Sequence, residues 1–285
     1  MSDDLLNDAL YYDFFEQAEQ VRWKLADVPW SSIERDKVTP ALLALVRAGA
    51  FAELTTFSAT QQFMHAFGDD IDLTQWMSVW FYEETKHPRV LMEWLHRCGE
   101  RFNGDFLLRG RVSEPFMRSR VGTLVSNIIS EITASNRYRN QSRRSSEPVL
   151  ARITAWLSAD EARHASGFYS YARRYIERAA HPDAERLTAL KILHLWLNQD
   201  GVVQHPVNMH VERVKQSDEL TTTAMQIHHP EDFVRTRIQA SRMIGNLVDL
   251  PIAGPEDVMP CIRELIPTVR RRKSTLLAHA ALEQA

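Results

Sequence analysis

Two pentapeptides in this chain have the residue types and spacing for chemistry: Glu83-Glu84-Thr85-Lys86-His87 and Asp160-Glu161-Ala162-Arg163-His164. In each, a glutamate precedes a histidine by three residues. On a helix that spacing aims one carboxylate and one imidazole at the same point. Two further glutamates, Glu53 and Glu131, stand in mostly apolar stretches, Ala50-Phe51-Ala52-Glu53-Leu54 and Asn127-Ile128-Ile129-Ser130-Glu131-Ile132. An ionised glutamate buried in such company costs several kcal/mol unless something compensates it. Metal ions are that compensation, because carboxylate oxygen and imidazole nitrogen bind divalent iron well and a carboxylate can bridge two ions. Four glutamates and two histidines meeting inside a helical bundle make a site for two iron or manganese ions.

The acids before each ligand pair fit a supporting role. A ligating imidazole usually donates its other N–H to a carboxylate, which fixes the ring and its tautomer. Glu83 and Asp160 each stand four residues before a histidine and can serve the histidine on the opposite helix. For Glu83 the alternative is a solvated position, since acids usually stay exposed.

The elements that must carry these residues are helices. Glycine is sparse, with 10 residues, and apolar residues recur at three- and four-residue steps over long stretches. A leading helix is expected over about Asp4 to Lys24, broken by Val28-Pro29-Trp30-Ser31-Ser32. Thr39-Pro40 opens the next with a cap and a first-turn proline, and it should run to about Phe67. A third starts at Asp72 or Thr74 and ends near Cys98-Gly99, with a kink expected at His87-Pro88. Ser113-Glu114-Pro115 begins a fourth reaching about Arg144, and Ser146-Glu147-Pro148 a fifth ending at His181-Pro182-Asp183. Three or four more helices are expected beyond, broken near Gly201, His229-Pro230 and Pro251 to Pro255. The ligand order is Glu, Glu-x-x-His, Glu, Glu-x-x-His, an internal echo that suits pseudo-twofold symmetry about a metal centre.

Bulk properties narrow the class. With 285 residues, 44% of them hydrophobic, the chain can fill one large core, and no linker-like composition divides it. The expectation is one domain over 1–285, all-α, with the metal-binding bundle at about 39–180 and extra helices at both ends. A net charge of −3 gives a nucleic-acid partner no electrostatic support. The acidic start Met1-Ser2-Asp3-Asp4 lacks a signal-peptide core, and no apolar run is expected to approach the roughly 20 residues of a membrane span. Cys98 and Cys261 match no zinc or redox spacing and read as reduced thiols, so a soluble, cytoplasmic protein without a membrane association is expected.

These motifs resemble those of the ferritin-like di-iron carboxylate proteins, and within them the soluble acyl-acyl-carrier-protein desaturases. The two pentapeptides look like that family's EExxH and DExxH motifs. Ala52-Glu53-Leu54 with Gln61 looks like its first ligand helix, and Glu131 falls where the third ligand belongs. The likeness covers about residues 5–200 in order and spacing. It implies a ferritin-like four-helix bundle with additional packing helices, two iron ions (or manganese), and O2 as co-substrate. It implies Glu53, Glu84 and His87 as ligands favouring one ion, Glu131, Glu161 and His164 favouring the other, and Glu84 and Glu161 as the bridging pair. It also implies a ferredoxin-type electron donor, an acyl carrier protein or small-molecule substrate, a homodimer, and an electron path through Trp23 or Trp30.

One departure bears on the reaction. The desaturases place a threonine three residues after the third ligand glutamate, where this chain has Ala134 flanked by Thr133 and Ser135. Related hydroxylases keep their hydroxyl four residues after that glutamate, where Ser135 stands. Ser135, Thr133 and Asp160 are therefore the candidate catalytic residues beside the ligands, and oxygen insertion competes with desaturation as the expected reaction. Leu157 occupies the place where di-iron N-oxygenases add a histidine.

Other features have plainer readings. Trp76, Trp80, Phe81 and Trp94 can line a substrate tunnel but are spaced like ordinary core. Arg270-Arg271-Arg272-Lys273, and the set Arg137, Arg139, Arg143 and Arg144, offer basic patches for an acidic partner or merely solvated helix ends. His228-His229 reads as a helix terminus, and His205 and His210 follow a loop near the bundle end.

Overall fold

A computed structural model describes residues 9–111, 119–198 and 230–282 of the chain. The described residues contain helices and no β-strand. In order they are α1 (Leu10–Val21), α2 (Pro40–Glu53), α3 (Thr56–Ala66), α4 (Ile71–Arg97), α5 (Gly104–Gly110), α6 (Arg120–Arg144), α7 (Pro148–Arg178), α8 (Pro182–Leu197), α9 (Pro230–Leu247) and α10 (Val258–Leu282).

The four helices that carry the candidate ligands start or stop where local chemistry dictates. Thr39 accepts from Leu42 N at 3.2 Å ahead of Pro40, and Asp70 accepts from Leu73 N at 3.0 Å to start α4. Ser119 caps α6 through Gly122 N at 3.1 Å. Glu147 caps α7 through Val149 N and Leu150 N, at 3.2 and 2.7 Å, and also accepts from Trp94 Nε1 at 2.7 Å. Glu147 is fully buried, so this carboxylate ties α7 to α4 by charge-assisted bonds in the interior.

Several boundaries differ from the sequence expectation. The start of the leading helix at Asp4 lies outside the described residues, and α1 ends at Val21. The expected single helix from Thr39 to Phe67 is two, because the ladder shortens after Glu53. Leu54 N and Thr55 N reach back three residues, to Phe51 O and Ala52 O, instead of four. Helix α6 covers Arg120–Arg144, and the expected helix start at Ser113 lies outside the described residues. Helix α4 runs through Pro88, and proline removes the N–H that would reach the carbonyl of residue 84. The span Pro40–Ala66 is apolar and long enough to cross a membrane by length and composition, contrary to expectation, and half of its most apolar window is buried in the protein.

Two apolar clusters show how the bundle is threaded. Along α4, Trp76 and Trp80 belong to one cluster and Val90, Leu91 and Trp94 to the other, with Glu84 and His87 between. Along α7 the order is reversed: Leu150, Ile153 and Leu157 come before Glu161, and Phe168 and Tyr171 after His164. On α6, Ile128 and Ile132 lie in the first cluster and Tyr138 in the second. On α2 and α3, Val46 and Ala50 lie in the second and Phe63 in the first. Thus α4 and α6 run one way, and α2 and α7 the other. A connection between like-directed α4 and α6 must cross the bundle, which is the ferritin-like arrangement. Helices α8, α9 and α10 add Leu190, Leu193, Ile244 and Ile262 to the first cluster.

Helix α7 comes very close to α4 at Gly167, where an added Cβ would fall 2.2 Å from the Trp76 ring. Gly167→Ala is therefore expected to destabilise the protein by about 1–3 kcal/mol despite alanine's better helix propensity. Denaturant unfolding checks this, and an unchanged midpoint would contradict it.

Candidate metal centre

The six residues named from sequence meet between the two apolar clusters, all of them buried. Their ligand atoms form two groups, Glu53 with Glu84 and His87, and Glu84 with Glu131, Glu161 and His164; within each, all atoms lie within 4.8 Å of one another. Glu84 belongs to both. Its Oε1 lies 2.8 Å from His164 Nδ1 and its Oε2 3.8 Å from His87 Nδ1. Glu161 spans the same gap, with Oε1 3.4 Å from His87 Nδ1 and Oε2 3.3 Å from His164 Nδ1. The two imidazoles stack at 5.9 Å between ring centroids.

Each histidine turns Nδ1 inward and Nε2 toward an acid of the opposite helix. His87 Nε2 lies 3.2 Å from Asp160 Oδ2, and His164 Nε2 lies 3.1 Å from Glu83 Oε2. Glu83 is buried, so it is not the solvated member of its pair. Arg163 donates to Glu83 Oε1 at 3.1 Å and also to Asp160 Oδ1, which joins the two supporting acids. Trp23 Nε1 donates to Asp160 Oδ2 at 2.8 Å. Trp30 instead donates to the carbonyl of Leu25.

This arrangement fits a pair of cations. His87 Nδ1 is buried with no hydrogen-bond partner and faces the gap between the helices, where Glu84 Oε1 meets only His164 Nδ1. A buried polar atom left in that state costs about 1–3 kcal/mol, so something is meant to satisfy it. Four carboxylates with two imidazoles are a hard-oxygen and nitrogen donor set suited to iron or manganese.

The electrostatics of the metal-free protein point the same way. Burial, with Glu161 close by, raises Glu84 to about 7. Burial also pushes Glu131 well above the carboxylate range, helped by Glu161 and Glu84. For Glu161 burial is outweighed by His87 and His164, which hold its carboxyl well below that range. Burial disfavours charge on His87 as well, but Glu84 and Glu161 win and raise it well above 6.5; bonds to Glu161, Glu83 and Glu84 do the same for His164. Protons thus hold the place of cations.

A pH dependence follows. Histidines raised in the folded state stabilise it below their unfolded value and lose that contribution as pH rises through the folded value. Glu84 and Glu131, also raised, cost more as they ionise. With chelator present, the melting temperature should therefore fall as pH rises from about 6.5 toward 9, and added Fe(II) or Mn(II) should remove most of the decline. A metal-free melting temperature that is flat or rises across this window would contradict the charge assignment.

Three supporting side chains were missed by the sequence reading. Tyr138, two turns after Glu131, donates to Glu53 Oε1, which also accepts from Arg137 at 3.3 Å. Trp80, one turn before Glu84, donates to Glu131 Oε1 at 3.2 Å. Thr56, three residues after Glu53, donates to Glu84 Oε2 at 3.1 Å. All stand at helical spacing from a ligand, and that was the available signal.

The structure does not bring every candidate to the centre. Thr133 is exposed, and its hydroxyl donates to the Ile129 carbonyl of its own helix at 2.7 Å. Ser135 is buried, yet its hydroxyl donates to the Ser158 carbonyl at 2.8 Å while Ser158 returns a bond to the Ser135 carbonyl. That exchange clamps α6 to α7. Trp76 and Trp80 sit in one core cluster, Trp94 in the other, and Phe81 packs against the first as a partly buried neighbour. In the basic patch, Arg137 is committed to Glu53 and Arg144 to Asp232 on α9. Arg270 and Arg271 are exposed, whereas His205, His210, His228 and His229 lie outside the described residues.

Comparison with known proteins agrees with this architecture. The rubrerythrin family model matches residues 123–236, which include Glu131, Glu161 and His164 but neither Glu53 nor the Glu84 pair. Among solved structures, the chain is similar to a point mutant of an R2-like ligand-binding oxidase with an Fe/Fe cofactor. The TM-score is 0.55 at 15% identity, covering 85% of this chain and 93% of that one. It is also similar to an R2-like ligand-binding oxidase with a Mn/Fe cofactor, at TM-score 0.54 and 16% identity over 85% and 92% of the two chains. No curated protein matches the sequence. The fold is that of the ferritin-like helical proteins.

Proposed function

We propose that this protein is an O2-dependent oxidoreductase with two metal ions, Fe/Fe or Mn/Fe, acting on an unactivated C–H bond of a carrier-borne or small-molecule substrate. The observation that carries this reading is the pair of ligand groups sharing Glu84, with His87 Nδ1 buried, facing the gap and unpartnered. Glu53, Glu84 and His87 hold one ion and Glu131, Glu161 and His164 the other, with Glu84 and Glu161 across both. When bound, the ions supply electrons to O2 and the oxidising power for hydrogen removal.

The chain's own residues prepare this reaction. Asp160 and Glu83 fix the imidazole tautomers so that both Nδ1 atoms are free to ligate. The flanking apolar clusters exclude water, which protects a reactive site from wasteful side reactions. Trp156 stacks on Trp23 at 5.5 Å, and Trp23 continues through Asp160 to His87. Trp156 is only partly buried, so this row of side chains gives a ferredoxin-type donor a route inward. The structural neighbours, which are ligand-binding oxidases, support an oxidase that also holds a ligand.

The test is to load the protein with Fe(II), or with Mn(II) and Fe(II), add O2 and a reductant, and offer acyl carriers, free fatty acids and amines. O2 uptake that depends on the metals is expected. Product lacking two hydrogens identifies desaturation, and product with one added oxygen identifies insertion. Loaded protein that consumes no O2 would overturn the proposal.

A further inference from the structure

We infer that Thr56 is a positioning residue of the metal centre, whose hydroxyl holds the shared carboxylate Glu84 in its two-sided pose. This rests on the two-metal reading above. Three observations carry it. Thr56 is buried, 7% exposed, and its Oγ1 donates to Glu84 Oε2 at 3.1 Å across the α3–α4 contact. The backbone between the helices is rebuilt to put it there. On either side of Thr56 the carbonyl–amide bonds run over three residues: Leu54 N to Phe51 O, Thr55 N to Ala52 O, Phe57 N to Leu54 O and Ser58 N to Thr55 O. In a turn of that kind, side chains three apart eclipse one another. Glu53 reaches His87 and Thr56 reaches Glu84, so both side chains meet α4. In an unbroken α-helix, residue 56 would be rotated away from the line of residue 53 by a sixth of a turn.

The neighbouring hydroxyls are differently employed. Thr55 Oγ1 donates to the Ala52 carbonyl, and Ser58 Oγ to the Thr55 carbonyl. Those two bonds stabilise the tightened turn, while Thr56 alone of the three reaches a candidate ligand. On the opposite helix, Ser135 and Thr133 are spent on carbonyls. The shared carboxylate Glu84 thus draws its hydroxyl donor from the start of α3, while Glu53 takes the Tyr138 hydroxyl from α6.

The division of labour on Glu84 is specific. A carboxylate oxygen has room for two partners, so Oε2 can accept from Thr56 and still face the His87 side. Oε1 faces the His164 side, 2.8 Å from Nδ1. A donor on one oxygen alone fixes the side-chain torsion and so leaves the other oxygen aimed at the second group. Without it, Glu84 is free to turn both oxygens to one ion. Thr56 acts through Glu84 and stays off the substrate.

Thr56→Val removes the hydroxyl and keeps the shape. Stepwise titration of Mn(II) into chelator-treated wild type, Thr56→Val and Thr56→Ser, read by calorimetry and metal analysis, tests the assignment. Wild type should bind two ions. Thr56→Val should keep its helical spectrum and melting temperature without metal, bind one ion nearly normally, and bind the other about 10- to 100-fold more weakly. Thr56→Ser should restore the weak step. If Thr56→Val titrates like wild type, or if both steps weaken equally and serine fails to rescue, the role of Thr56 is wrong while the metal reading stands. Wild type that binds no metal overturns both.

Discussion

Glu161→Ala is expected to take the protein from two bound metal ions per chain to fewer than one, while leaving a largely helical spectrum. Glu161 stands 3.4 Å from one inward imidazole nitrogen and 3.3 Å from the other, so its loss damages both halves together. The metal-free fold should survive this loss. Glu161 is the charge that, after burial, most raises Glu131 and Glu84, so deleting it relieves repulsion among buried acids. Its loss also leaves His87 and His164 with fewer anions, which favours neutral rings. Relief of Glu84 and Glu131 offsets the lost pairing with His87 and His164, so the metal-free melting temperature should change little, and the increase produced by added metal should vanish. Thermal scans with and without Fe(II), alongside metal analysis, read both effects. A variant that still binds two ions would remove Glu161 from the ligand set. One that unfolds without metal would make the cluster structural.

The second large effect is expected at Asp160. Its Oδ2 meets His87 Nε2 and Trp23 Nε1, and its Oδ1 meets Arg163. The contact with His87 and the charge of Arg163 keep its carboxyl far below the usual range even though burial opposes this. Asp160→Asn preserves size but removes the anion that holds the His87 N–H outward. His87 can then present the wrong nitrogen to the metal gap. Metal affinity at the His87 half should fall about 10- to 100-fold, with the His164 half less affected because Glu83 serves it separately. Titration with Mn(II) separates the two steps. Equal weakening of both would show that Arg163 couples the acids more strongly than either serves its own histidine.

Much of this centre was legible in the chain because helical periodicity is a local rule. Glu84 with His87 and Glu161 with His164 needed only the three-residue spacing, and Glu53 and Glu131 needed only their apolar flanks. Glu83 and Asp160 reach the histidine of the opposite helix, as the four-residue offset suggested. What the sequence hid depends on distances between helices. Ser135 had the right offset from Glu131, but no local pattern could reveal that Ser158 on α7 would claim its hydroxyl. Thr56 was hidden because the expected unbroken helix gives no sign that the ladder shortens after Glu53. Arg137 read as part of a surface patch, and only the packing of α6 on α2 turns it toward Glu53. The boundary after Glu53 was hidden because two helices there run into one another with only a shortened ladder between them.

The central claim is that six side chains from four helices hold two transition-metal ions side by side. Anomalous diffraction from crystals grown with Fe(II) or Mn(II) tests it most directly. Two peaks are expected between Glu84 and Glu161, one beside His87 Nδ1 and the other beside His164 Nδ1. No peak there, or a single peak with either histidine turned away, would contradict the account.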